Sequence, residues 1–170
     1  NVELARAAAE RNPSNARIRD GYLAMRARYL LETEQWEAIA LDGSASHAAH
    51  DAHEGMPGMP LAQAGGGAWR VYAGISAAKR GDADLAERFA ADLGQLREQV
   101  AATNPYGARG VAIQQNEVAA LAKFARGDRA AALALAKEAA DIELTTAPPS
   151  GPPGPMKPAF ELYGELLLGA

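Results

Sequence analysis

The residues with the most evident chemical capacity lie in one short run. His47, His50 and His53 are the only histidines of the chain, and Glu54, Met56 and Met59 follow them directly. Imidazole and thioether ligands together suit copper, with methionine favouring Cu(I) over Zn(II). If residues 45–54 are helical, the repeated three-residue spacing winds the histidines along one face, within reach of a common ion. The competing reading is a mobile polar loop, since alanine, glycine and proline supply most of the segment. Both readings stand at the level of sequence, so His47, His50, His53, Met56 and Met59 are a candidate set for Cu or Zn.

Other chemistry is poorly served. His53-Glu54 is not followed by the second histidine of a zinc-protease helix, and Gly43-Ser44 lacks the spacing of a nucleophile elbow. Gly65-Gly66-Gly67 lacks the Lys-Ser/Thr of a phosphate-binding loop. With the histidines confined to one segment and no cysteine in the chain, a catalytic triad has few sources. Asp82 and Asp84 fall at a helix start, where a carboxylate caps backbone N–H groups. The expectation is a protein without catalytic machinery.

The bulk properties narrow the partners. A 170-residue chain with net charge −4 gives no global field for nucleic acid, and the early arginines, Arg6 to Arg28, are interleaved with Glu3, Glu10 and Asp20 as on a solvated helix face. No stretch approaches the roughly twenty apolar residues of a membrane helix, so no membrane insertion is expected. The chain begins Asn1-Val2-Glu3 in a helical pattern, so an upstream segment, signal peptide included, is expected to be missing. The compartment stays open, with a periplasmic or secreted setting slightly favoured over the cytoplasm.

The elements that must position any site are helical. Residues are 48% hydrophobic but only 6% aromatic, and runs such as Ala7-Ala8-Ala9 and Ala130-Ala131-Ala132 favour closely packed helices. Arg80-Gly81-Asp82 recurs as Arg126-Gly127-Asp128, each time between two helical patterns. Glycine can end one helix with positive φ, and the aspartate can cap the next. Gly127 follows Gly81 by 46 residues, and Gly81 follows Glu34, the hinge-equivalent of an earlier unit, by 47. Seven residues before each hinge stands a small residue, Ala27, Gly74 or Ala120, and Gly164 continues the register.

The chain therefore reads as one all-α domain of units at about 1–41, 67–101, 108–144 and an incomplete 157–170. An irregular and mobile loop, 42–66, and a Pro-rich linker, 145–156, interrupt them. Ser14 is expected to cap the second helix. Ile18, Tyr22, Met25 and Tyr29 form its stripe, and Leu85, Phe89, Leu93, Leu96 and Val100 form a second one after the first hinge. Thr103 to Gly107 reads as a turn.

Gly74 with Gly81-Asp82 and Ala86, and Ala120 with Gly127-Asp128 and Ala132, resemble the tetratricopeptide repeat. That repeat has a small residue on its first helix, a Gly-Asp-type hinge and an alanine on its second. Phe160-x-x-Tyr163-Gly164 resembles the start of a further repeat, and the whole is similar to bacterial tetratricopeptide-like proteins. The period is nearer the roughly 40–47 residues of HEAT-type hairpins, whereas the hinge chemistry points to the tetratricopeptide family. The resemblance implies antiparallel hairpins stacked as a right-handed superhelix, and a scaffold that binds a protein or peptide on its concave face. Carried over residue by residue, the groove positions are Arg28, Lys79, Gln114, Glu117, Glu161 and Glu165, without the Lys/Asn/Arg cluster that clamps a terminal carboxylate. Phe160, Leu162, Tyr163, Leu166, Leu167 and Leu168 wrap more than one side of the last helix, so self-association through that helix is also expected.

Overall fold

The structure is a computed structural model that describes residues 2–36, 67–146 and 156–169. Its seven helices are α1 (Val2–Arg11), α2 (Ala16–Glu32), α3 (Gly67–Lys79), α4 (Ala83–Ala101), α5 (Pro105–Ala125), α6 (Arg129–Leu144) and α7 (Ala159–Leu168), and the described residues contain no strand. Helix α1 packs on α2, α3 on α4 and α5 on α6. The hairpins are joined through α2 on α3, α3 and above all α4 on α5, and α5 on α7, while α6 also packs on α7. The 42–66 loop lies outside the described residues, as does most of the 145–156 linker.

The three hinges share one hydrogen-bond pattern. Gly81 N–H donates to the Ala78 carbonyl and Asp82 N–H to the Ala77 carbonyl; Gly127 and Asp128 repeat this with Phe124 and Lys123. Glu34 and Gln35 do the same with Leu31 and Leu30. Each is a Schellman closure, whose turn residue must adopt the left-handed conformation. Gly81 has φ 84°, Gly127 81° and Glu34 52°. The register read from sequence thus holds even where glutamate replaces glycine, at a conformational cost of about 1–2 kcal/mol for a residue with a Cβ.

The rest of the Arg-Gly-Asp signature is equally physical. Asp82 accepts from Leu85 N–H at 3.0 Å, and Asp128 from Ala131 N–H at 3.1 Å, so both cap the following helix. The arginines reach back to the preceding hairpin. Arg80 donates to the Trp36 carbonyl at 3.4 Å, and Arg126 donates to Asp84 and to both carboxylate oxygens of Glu87 on α4. One tripeptide therefore turns the chain, starts the next helix and ties two units together.

The small residues let backbones approach. Ala27, Ala86, Ala120 and Ala132 are fully buried. A Cβ on Gly74 would collide with the Val118 side chain of α5 and stand 3.1 Å from Phe89 Cβ of α4, so α3 is wedged between two helices at that point. That position explains why α3 is buried nearly all round, from Trp69 to Ala78. Gly164 differs, having open space where its Cβ would be.

Four details depart from the sequence reading. Asn15, not Ser14, caps α2, accepting from Ile18 N–H. The buried face of α2 is Tyr22, Leu23, Ala27, Leu30 and Leu31, while Met25 and Tyr29 are exposed, because α2 packs on α1 and α3 together and its inward face is rotated from the expected stripe. Helix α5 begins at Pro105, so the presumed turn at 103–107 is a helix start: Asn104 accepts from Gly107 N–H at 2.8 Å and Pro105 occupies the first turn, where no N–H is needed. Finally, Leu166 is 3% exposed and belongs to the internal core with Leu162, whereas Leu167 is 49% exposed. Only Phe160, Leu167 and Leu168 are left as the outward apolar side of α7.

Candidate binding groove

A groove of about 320 Å³ opens where α2, α3, α5 and α7 converge. Its floor is apolar, from Leu31 of α2, Ile75 of α3, Leu121 of α5 and Leu162 of α7. These are buried residues of four helices far apart in the chain, so the groove exists only where those helices converge. A neighbouring depression of about 290 Å³ shares Lys79, Leu121 and Glu165 with it and continues past Phe124 to Gly169. The two form one trough across the ends of α3, α5 and α7.

The walls are charged. Glu32 and Glu34 stand at the end of α2, Lys79 at the end of α3, Lys157 before α7, and Glu161 and Glu165 along α7. Lys157 Nζ donates to Glu165 at 2.7 Å and to Glu161 at 3.1 Å. Burial acts to lower the pKa of this ammonium, but the hydrogen bonds and charges of Glu165 and Glu161 outweigh it and hold the pKa above the ordinary lysine value. Lys79 Nζ lies 5.9 Å from the centre of the Trp36 ring, a cation–π contact that fixes both at the rim. The Trp36 backbone is held by Arg80, and the adjacent Gln35 carbonyl accepts from the Tyr72 hydroxyl at 2.6 Å. Both tethers pin the α2 end of the wall to α3.

Of the six positions carried over from the repeat resemblance, Lys79, Glu161 and Glu165 meet in this groove. Arg28 is half-buried on α2 and does not line it. Gln114 lies near the start of α3, with its Oε1 3.7 Å from where a Gly67 Cβ would sit, at the other end of that helix. Glu117 is 1% exposed and lies one turn before Leu121, within the packed layer instead of on the groove surface. Among the described residues neither of its carboxylate oxygens has a hydrogen-bond partner. Burial, reinforced by the charge of Glu143 and opposed by Lys157, raises its pKa well above the ordinary carboxyl value. Glu143 itself accepts from Ala159 N–H at 2.9 Å and anchors the start of α7.

Sequence reasoning missed Glu32, Glu34, Trp36, Met156 and Lys157 as groove residues. Lys157 was the legible one, because Lys157, Glu161 and Glu165 recur at four-residue spacing. The metal candidates His47, His50, His53, Met56 and Met59 lie outside the described residues. Among the described residues no helix is long and apolar enough to cross a membrane.

The chain matches no protein-family model, no curated protein and no solved structure.

Proposed function

We propose that this protein is a non-enzymatic helical-repeat scaffold of tetratricopeptide type that binds a segment of a protein partner in the trough across α2, α3, α5 and α7. The carrying observation is that the trough combines an apolar floor with charged rims and draws its lining from α2, α3, α5 and α7 together. An extended or helical peptide supplies both kinds of contact along its length, whereas a small metabolite would fill only one end of so open a surface. The right-handed superhelical arrangement belongs to the same proposal.

The test is selection of phage-displayed random peptides on the immobilised protein, followed by binding to a Lys79→Glu/Glu161→Lys variant. Both positions lie toward solvent, so the fold is expected to survive, as circular dichroism would verify. Peptides that bind the parent and not the variant support the reading. Equal binding to both overturns it.

The histidine-methionine segment supports a second and separate proposal, in which His47, His50, His53, Met56 and Met59 bind Cu or Zn. Calorimetric titration with Cu(I), Cu(II) and Zn(II), repeated on the His47→Ala/His50→Ala/His53→Ala variant, decides it. Heat lost in the variant supports the metal reading, and equal heats overturn it.

A further inference from the structure

The trough carries more acid than base: Glu32, Glu34, Glu161 and Glu165 against Lys79 and Lys157. The two lysines are also not equally available. Lys157 already holds Glu161 and Glu165, and it is the more sheltered partner in both pairs. An acidic ligand would have to detach it from two carboxylates in exchange for one new contact. Lys79 rests over the Trp36 ring. At the α2 end, Glu32 and Glu34 are exposed and make no ion pair among the described residues. Their charge is therefore presented to whatever lies over the apolar floor.

Resting on the peptide-binding reading above, we infer that the segment taken by this trough is basic and apolar together, with a lysine or arginine set against Glu32 and Glu34 and an adjacent apolar side chain set against Trp36, Met156 and Pro158, the apolar lining residues that keep exposed surface. The charge complement selects the ligand and speeds encounter, while the apolar contact supplies most of the affinity. Burial of one large apolar side chain outweighs a solvent-exposed ion pair, so the acid walls act mainly by excluding acidic segments. Binding should weaken with added salt, because the acid pair is exposed and screening acts on it fully.

The composition of the selected peptides and a pair of variants test this. Peptides that depend on the groove should be enriched in Lys or Arg beside an apolar residue. Glu32→Gln should weaken the best such peptide by up to about fivefold, the scale of an exposed charge pair, in fluorescence anisotropy with the labelled peptide. Glu34→Gly separates binding from folding. It removes the carboxylate and relieves the left-handed strain at φ 52°, so affinity should fall while thermal stability holds or rises. A groove-dependent consensus that is acidic or uncharged, or unchanged affinity in both variants, overturns the charge assignment and leaves the peptide-binding reading intact. Failure to obtain any peptide lost in the Lys79→Glu/Glu161→Lys variant overturns both.

Discussion

Replacing Glu117 by methionine should make the protein more stable, and more so as the pH rises. The native carboxyl is 1% exposed, with neither oxygen hydrogen-bonded among the described residues. Burying a polar group without a partner costs about 1–3 kcal/mol by mutational measure. Methionine is unbranched and of similar length, so it can occupy the same space without forcing α5, α6 and α7 apart. The expected gain is therefore about 1–3 kcal/mol, and each kcal/mol corresponds to roughly 2–4 °C in Tm for a chain of this size.

The pH dependence follows from linkage. The folded protein holds the Glu117 proton more tightly than the unfolded chain, whose carboxyl titrates near 4.5. The folded state thus binds more protons, and stability falls as pH rises from about that value through the raised folded pKa. Below the unfolded value the ionisation cost vanishes and only the unpaired polar burial remains. The paired Glu87 has the opposite sign, since hydrogen bonds from Lys123 and Arg126 lower its pKa and its contribution fades in acid, but it is common to both proteins and cancels in their difference. Urea denaturation followed by far-ultraviolet circular dichroism, from acid to mildly alkaline pH, measures that difference. A methionine variant less stable than the parent at every pH would refute the reasoning. So would parallel stability curves, because Glu117 would then have a partner or solvent contact in solution.

Three further outcomes are expected. Gly74→Val should destabilise by at least about 1–3 kcal/mol, the usual cost of overpacking, as read from the urea midpoint, because its side chain would collide with Val118 and Phe89. Asp128→Ala should cost about 1 kcal/mol through loss of the α6 cap, with Asp128→Asn retaining most of it in the same assay. Leu166→Gln should lower thermal stability strongly with little effect on association, whereas Leu167→Gln should leave stability nearly unchanged and reduce any self-association seen by light scattering, because only Leu167 faces outward.

The hinges were legible because their chemistry is local. A turn residue with positive φ and a capping carboxylate are demanded by the backbone within five or six residues, so Gly81-Asp82 and Gly127-Asp128 announce themselves, and the period then locates Glu34 although it carries no glycine. The small residues Gly74 and Ala120 were legible through the same register. Helix faces were less so. On α2 the buried set depends on the angle between α1 and α3, which no local pattern encodes, and Met25 and Tyr29 consequently fall outside. At Asn104-Pro105 the local signal was ambiguous, since the residues that make a turn also start a helix.

The groove was half legible. Lys79, Glu161 and Glu165 follow from their register positions in the unit. Glu117 has the same kind of position on α5 but is covered, because Glu143 of α6 draws the start of α7 against that layer. Glu32, Glu34 and Trp36 enter the wall through the hinge geometry and the Tyr72 and Arg80 tethers, contacts between residues 37 to 44 apart in the chain. No sequence spacing reports them.

The central claim is that the inner trough of the stacked hairpins is the binding surface. Its most direct test is the map of backbone amide NMR shifts on titrating the protein with a peptide selected against it. The changes should gather on the ends of α3, α5 and α7, around Ile75, Lys79, Leu121, Glu161 and Glu165, and leave the outward residues of α4 and α6 such as Arg88, Glu98 and Ala134 unmoved. Shifts concentrated on α4 and α6, with the trough silent, would contradict it.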